Sequence, residues 1–246
     1  MIASDLATAL DPVRLAERCG LDADPWQQNV LRSAAPRMLL NASRQSGKST
    51  TVALLNVHTA LYQPESLCLM LSPTLRQSGE LFRKAKDLLG RVEGERLPEE
   101  TALSLRLRNG SRIVSLPGKE GTVRGYSAVT LLSIDEASRV PDELYMACRP
   151  MLAVSGGRLL GMSTPFGTRG WWYEAWRSQE DWERYEVPAE NCPRISQEFL
   201  DEERRTVGEW WYRQEYGCEF LDAQAQAFTR DEIDRAFSEE VETWAL

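Results

Sequence analysis

One stretch limits what this chain can fold into more than any other: Met38-Leu39-Leu40-Asn41-Ala42-Ser43-Arg44-Gln45-Ser46-Gly47-Lys48-Ser49-Thr50. An apolar run of strand length enters a tight polar loop, and Thr51-Val52-Ala53-Leu54-Leu55 carries on as a helix. Gly-Lys-Ser at such a junction is a P-loop. Loop N–H groups and the positive end of the helix dipole face phosphate oxygens, the lysine reaches the β and γ oxygens, and the following hydroxyl meets Mg²⁺. The pattern assigns Ser43, Arg44, Gln45, Ser46, Gly47, Lys48, Ser49 and Thr50 to nucleotide phosphates, with Ser49 also a Mg²⁺ ligand. It departs from G-x-x-x-x-G-K-[ST] at one place, where Ala42 replaces the first glycine.

A strand that feeds a P-loop needs a parallel sheet around it, and the chain offers the parts. Ser66–Ser72, Ala128–Ile134 and Gly157–Thr164 are apolar runs of strand length, as buried parallel strands should be. Trp182–Val187 reads as an edge strand. Helices are expected over residues 4–20 in one or two pieces, from Pro25 through Leu31, from Leu75 to about Val92, around Pro141–Cys148, and over 197–216. Leu103–Leu107 and Arg112–Leu116 alternate around Asn109-Gly110, which predicts an inserted antiparallel hairpin. Residues 93–101 read as polar and turn-like, and 231–246 as a partly frayed acidic helix. The sum is an α/β fold: a three-layer P-loop NTPase architecture with a mainly parallel central sheet, flanking helices and one inserted β-hairpin.

Composition narrows the setting. With 42% hydrophobic and 27% charged residues the chain has an ordinary globular balance. No apolar run approaches the roughly 20 residues of a membrane span, and the N-terminus lacks a signal-peptide pattern. Cys19, Cys68, Cys148, Cys192 and Cys218 are scattered and form no C-x-x-C pair, which suits reduced thiols in a cytoplasm. His58 is the single histidine and is expected to be structural. Net charge is −8, from 29 basic against 37 acidic residues, which argues against wholesale coating of nucleic acid. Arg76, Arg83, Lys84 and Lys86 form a candidate local basic patch.

The second half of the chemistry is Leu131-Leu132-Ser133-Ile134-Asp135-Glu136, an apolar strand delivering two carboxylates to the sheet edge that carries the P-loop. Asp135 is expected to hold Mg²⁺, and Glu136 to orient and polarise the attacking water. A Gln shortly before a P-loop can read an adenine edge, since its amide both donates and accepts; Gln27 stands there.

With these motifs in order, the chain resembles the ATPase half of bacteriophage large terminases, the motors of DNA packaging. Ser43–Ser49 resembles the family's P-loop, in which the first glycine is often absent, and Pro25-Trp26-Gln27 its adenine motif. Leu71-Ser72-Pro73-Thr74 with Gln77 resembles the segment after its second strand, and Gly161-Met162-Ser163-Thr164-Pro165 its coupling motif. Glu215-Tyr216 and Glu219-Phe220 resemble the end of its ATPase region.

The resemblance implies an ATP- and Mg²⁺-dependent ATPase with Lys48 and Glu136 catalytic and Ser163 and Thr164 coupling hydrolysis to movement. It implies double-stranded DNA, further copies in a homo-oligomeric ring, a small terminase subunit and a portal protein as partners, in the cytoplasm of a bacterial host, without a membrane. It makes Arg124 a candidate arginine finger toward a neighbouring subunit, although a solvated arginine in a glycine-containing loop fits the same residues; Arg44 is a second candidate for sensing phosphate charge. Residues 1–23 are then an N-terminal helical segment, 24–222 the ATPase domain, and 223–246 a linker or tail where full terminases begin a nuclease domain. No nuclease activity is expected from this sequence. Two alternatives stay open, a helicase-like DNA translocase and a nucleotide-gated DNA- or partner-binding module with little turnover.

Overall fold

The computed structural model describes residues 2–93, 99–118, 123 and 125–222. Helices α1 (Ile2–Leu10), α2 (Pro12–Arg18) and α3 (Pro25–Arg32) precede β1 (Arg37–Ala42), which runs through the loop into α4 (Lys48–Tyr62). β2 (Leu67–Ser72), α5 (Leu75–Glu93), β3 (Glu99–Thr101), β4 (Ser104–Arg106) and β5 (Arg112–Pro117) follow. The rest is β6 (Leu131–Asp135), α6 (Asp142–Cys148), β7 (Arg158–Ser163), α7 (Gly170–Arg177), β8 (Glu183–Val187), α8 (Gln197–Val207) and α9 (Glu209–Glu215), with short 3₁₀ turns between.

The strands form one eight-stranded sheet in the order β3-β4-β5-β2-β6-β7-β1-β8. Every pairing from β5 to β8 is parallel, and only β3–β4 and β4–β5 are antiparallel. Period-two alternation divides the strands between two layers. Met38, Leu40 and Ala42 of β1 join the core under α2, α3, α4 and α5. Leu39 faces the other core, where α6 and α7 supply Leu144, Tyr145, Trp171 and Trp172. The mainly parallel three-layer sheet predicted from the apolar runs is thus the sheet that forms, with Glu183–Val187 on its edge as expected.

Three local expectations need correction. The hairpin at Asn109-Gly110 forms, with Leu107 N–H bonded to Ser111 O at 2.8 Å, but its second strand is not an insertion: β5 pairs in parallel with β2 and belongs to the main sheet. Residues 99–101, read as turn, add β3 beyond β4, an edge too short to show a period. The helix over 197–216 breaks at Gly208, whose φ of 82° ends α8 and starts α9. Helix α7 had no counterpart in the sequence reading. The tail 231–246 lies outside the described residues.

The N-terminal helices are part of the core: Val13, Leu15, Ala16 and Cys19 pack in the same cluster as α4. Asp11 caps α2 by accepting from Val13 N–H at 3.0 Å and pairs with Arg32 of α3 at 2.8 Å. His58 donates from Nε2 to Thr8 O at 2.9 Å, and burial lowers its pKa, so it ties α4 to α1 as a structural group. All five cysteines are buried free thiols; burial pushes Cys68 up to about 12.

Gly161, in the middle of β7, makes room for the indole pair of α7. A Cβ there would sit 2.8 Å from Cζ3 of Trp172 and 3.3 Å from Cη2 of Trp171, inside ordinary contact distance. Gly161→Ala is therefore expected to cost about 1–3 kcal/mol through overpacking, a fall of several degrees in Tm by thermal denaturation. An unchanged midpoint would show that the rings move aside freely.

Candidate functional site

Parallel register sets the site. β6, β7 and β1 are neighbours, Asp135 aligns with Met162, and Asn41 aligns with Ser163. The loop after β1, the Asp135-Glu136 pair at the end of β6 and Ser163-Thr164 at the end of β7 therefore emerge side by side at the carboxyl edge of the sheet, where open α/β sheets bind ligands.

The loop itself is built from its own side chains and two left-handed residues. Gln45 (φ 62°) and Gly47 (φ 95°) turn the backbone, and Ser46 Oγ donates to Ser43 O at 2.8 Å. A Cβ at Gly47 would lie 2.9 Å from Nε2 of Gln27, so glycine is required by contact as well as by φ. Lys48, first residue of α4, is 8% exposed, and its ammonium makes a long 3.4 Å bond to Ser43 O. A buried ammonium with spare donors at a helix N-terminus suits anionic oxygens. Ser49 and Thr50 follow in the first turn of α4, partly exposed.

Asp135 is 7% exposed, and its pKa is pushed up to about 6, by burial first and then by the Glu136 carboxylate; Lys48 pulls it back. A buried carboxylate beside a second one is a donor set that a divalent cation would stabilise, so Asp135 fits the Mg²⁺ expected there. Glu136 has φ 48° and ψ 45°, a left-handed backbone that costs a non-glycine residue about 1–2 kcal/mol. Its N–H donates to Asp135 Oδ1 at 3.0 Å, which helps hold that conformation. Strain of this kind at the residue expected to act on water is where a re-aimed side chain is useful.

Gln27, expected at adenine, is buried beside the loop. Its Oε1 accepts from Asp24 N–H at 2.9 Å and its Nε2 donates to Thr51 Oγ1 at 2.9 Å, leaving one N–H and one lone pair. It borders a cavity of about 330 Å³ walled by Ala16, Leu21, Leu54, Thr51 and Arg194, next to Gly47. The wall from residues 16–23 brings the N-terminal segment into the site.

Ser163 and Thr164 are buried, and Ser163 Oγ shares a 2.7 Å hydrogen bond with Ser138 Oγ, just after Glu136. Arg44 is held by Glu215, its Nε donating to Oε2 at 2.7 Å. Arg124 lies outside the described residues. The sequence reading missed the roles of Arg194, Glu215, Arg139 and Ser138. Arg194 donates to Ser46 O at 2.9 Å and pairs with Asp24, at 2.8 Å to Oδ1 and 2.7 Å to Oδ2. No motif marks it, since it reaches the loop from about 150 residues downstream.

Arg194 thus braces the loop against the α3 N-terminus. Losing a hydrogen bond from a charged donor costs about 1.5 kcal/mol, or roughly tenfold in affinity. Arg194→Ala should weaken ADP binding by that factor in calorimetry; unchanged affinity would remove Arg194 from the site.

The family described as terminase large subunit, T4likevirus-type, N-terminal, matches residues 39–235. Large terminase subunits of Thermus phage G20c and Thermus virus P23-45 are each 26% identical over 242 residues, covering 82% of this chain. The chain spans about half the length of these curated relatives, 50% in each case. Among solved structures, the large terminase ATPase domain of Thermus phage P74-26 superposes with TM-score 0.75 at 24% identity, covering 84% of this chain and 97% of that one. The large terminase of a thermophilic bacteriophage, solved in complex with ADP, gives TM-score 0.66 at 15% identity, covering 81% of this chain and 54% of that one. The HK97 bacteriophage large terminase gives 0.69 at 15%, covering 81% and 51%. At these identities the structural likeness speaks for the fold, and the match over 39–235 speaks for the family: the chain belongs to the terminase large subunits, in their N-terminal region.

Proposed function

We propose that this chain is a Mg²⁺-dependent ATPase that drives double-stranded viral DNA into a capsid as the motor part of a terminase. The observation that carries the reading is the alignment of the P-loop, Asp135-Glu136 and Ser163-Thr164 on three neighbouring parallel strands. Lys48 and the N-terminal N–H groups of α4 hold the β and γ phosphates. Gln27 orients adenine at the cavity beside Gly47. Asp135 and Ser49 hold Mg²⁺, which offsets phosphate charge when bound. Glu136 positions water in line with the γ-phosphate and takes up its proton as the bond to the leaving oxygen breaks. The Ser138–Ser163 hydrogen bond is the short path by which loss of the γ-phosphate moves the segment after β7. A nucleotide role is supported by the thermophilic bacteriophage relative, whose structures include complexes with ADP and with ATP-γ-S.

The remaining parts of the reading are partners: duplex DNA, further copies in a ring, a small terminase subunit and a portal. No helix among the described residues is long and apolar enough to cross a membrane. The reading gives this chain no role in cutting DNA.

Lys48→Ala and Glu136→Gln are expected to fail differently. Removing the ammonium should weaken ATP binding itself. Glu136→Gln should bind ATP as wild type while single-turnover hydrolysis falls about 10²–10³-fold, the scale of losing one well-aimed group in the transition state. Wild-type turnover in Glu136→Gln would show that the second half of the site is misassigned.

Arg124 is proposed to reach the ATP of a neighbouring copy. Arg124→Ala should bind ATP nearly as wild type, since a finger acts on the transition state. Mixed with Glu136→Gln chains under conditions where mass measurement shows assembly, it should regain turnover wherever an intact arginine faces an intact glutamate. Activity no greater than the sum of the two variants would rule out action in trans.

A further inference from the structure

A cavity of about 540 Å³ opens between α6 and α7, bordered by Tyr145, Arg149, Trp171, Tyr173, Arg177 and Trp182. A second, of about 340 Å³, shares Arg149 with it and reaches Arg37 and Gly157. Arg37 begins β1 and Gly157 precedes β7, so the groove lies toward the amino edge of the sheet, opposite the P-loop. Its walls are fixed. Tyr145 and Trp171 stack with ring centroids 4.0 Å apart, 4° from parallel. Arg184 holds the turn after α7 by donating to the carbonyls of Ala175, Trp176, Ser178 and Trp182 at 2.7–2.9 Å. Trp182 is 6% exposed, and its indole N–H finds no acceptor among the described residues. The charges are less even. Arg37 takes Glu180 at 3.2 Å, and Arg177 donates to Tyr173 Oη at 2.8 Å. Arg149 is exposed, stands 5.8 Å from the centroid of the Tyr145 ring, and forms no ion pair with a carboxylate among the described residues. An aromatic groove with one such cation suits an apolar surface that carries one carboxylate.

The chain itself carries that surface to the rim. Phe220 packs with its ring centroid 5.3 Å from Tyr173 and 6.0 Å from Trp176, and Thr168 Oγ1 donates to Asp222. Tyr173 therefore touches the end of the described chain and borders the cavity as well. Further on, Ile233, Phe237, Val241 and Trp244 follow at intervals of four, four and three, the spacing of one helical face. Glu240 falls on the same face, three residues after Phe237 and four before Trp244. A carboxylate inside an apolar stripe is costly to bury without a cation. Residues 223–230 span up to about 28 Å when extended, against about 12 Å for the length of α7, so 231–246 can reach any part of the groove.

We propose that residues 231–246 dock as an amphipathic helix in the groove between α6 and α7, with Phe237 and Trp244 against its aromatic wall and Glu240 paired to Arg149. The occupant is this chain's own segment because Phe220 delivers it to the rim, which gives it a high effective concentration that a second copy lacks. The contact fastens the segment to α7, the helix that follows Ser163-Thr164. It does not depend on what the P-loop binds.

Amide hydrogen exchange on the full chain is the test, read over residues 233–244 in wild type, Phe237→Ala, Arg149→Glu, Glu240→Arg and the charge-swapped double variant. Wild type should exchange there more slowly than an unprotected chain, to the same degree at every protein concentration. Phe237→Ala should lose about tenfold of that protection, the scale of one phenyl ring returned to water. Arg149→Glu and Glu240→Arg should each lose about fivefold, the upper range for an exposed ion pair, and the double variant should regain it. A helix that forms without docking would not respond to Arg149 at all. Should Arg149→Glu not fold, Glu240→Arg leaves the groove unaltered and should speed exchange in 233–244 and in α7 together. Exchange at the unprotected rate in wild type overturns the proposal. So does protection that is unchanged in both single charge variants, and so does protection lost on dilution, which would assign the contact to a second copy.

Discussion

The parallel register of β6, β7 and β1 is the constraint on which the rest depends. Three segments far apart in sequence meet only because their strands are neighbours and point the same way. Sequence distance is spent inside the layers, where α4 and α5 cover one face of the sheet and α6 and α7 the other. Nothing at the carboxyl edge could hold its place without that burial. The strained Glu136, the buried Lys48 and the buried Asp135 are each unfavourable alone, and each is held by an apolar strand or helix end whose position the core dictates.

What could be read from the sequence was what recurs locally. The loop from Ser43 to Thr50, the apolar strand ending in Asp135, and the turn at Asn109-Gly110 carry their geometry in adjacent residues. The parallel sheet followed from continuous apolar runs such as Ser66–Ser72, which become strands buried on both faces. What escaped was non-local or too short for a period. β3 has three residues, and the membership of β5 in the main sheet depends on its pairing with β2, which no alternation of its own residues reveals. Arg194 and Glu215 touch the loop from far along the chain, and only the fold brings them there. Helix α7 escaped for another reason: at eight residues, Gly170–Arg177, it offers barely two turns for a helical period to show.

Two connections leave the carboxylate pair in the same direction. Ser138, in the turn after Glu136, bonds Ser163, at the end of β7. Arg139, the next residue, stacks on Phe166 at 4.1 Å from the ring centroid and lies near Glu215. The turn after Glu136 thus touches both the segment after β7 and the end of α9. A shift of that turn cannot be absorbed locally, since Ala137 between them is fully buried. Packed contacts of this kind move as units.

Charge balance explains why the loop is held by arginines that already have partners. Around it stand Lys48, Arg44, Arg139 and Arg194 against Asp135, Glu136, Glu215 and Asp24, four cations against four carboxylates, with Arg194 paired to Asp24 and Arg44 to Glu215. A nucleotide triphosphate adds several negative charges to a set that is already neutral. Arg194 is bidentate on a carboxylate that is itself nearly buried, and moving it would strand that charge. Lys48 is committed at the helix start. Arg44 is the most exposed of these arginines, and the carboxylate that holds it is faced by Arg139 as well.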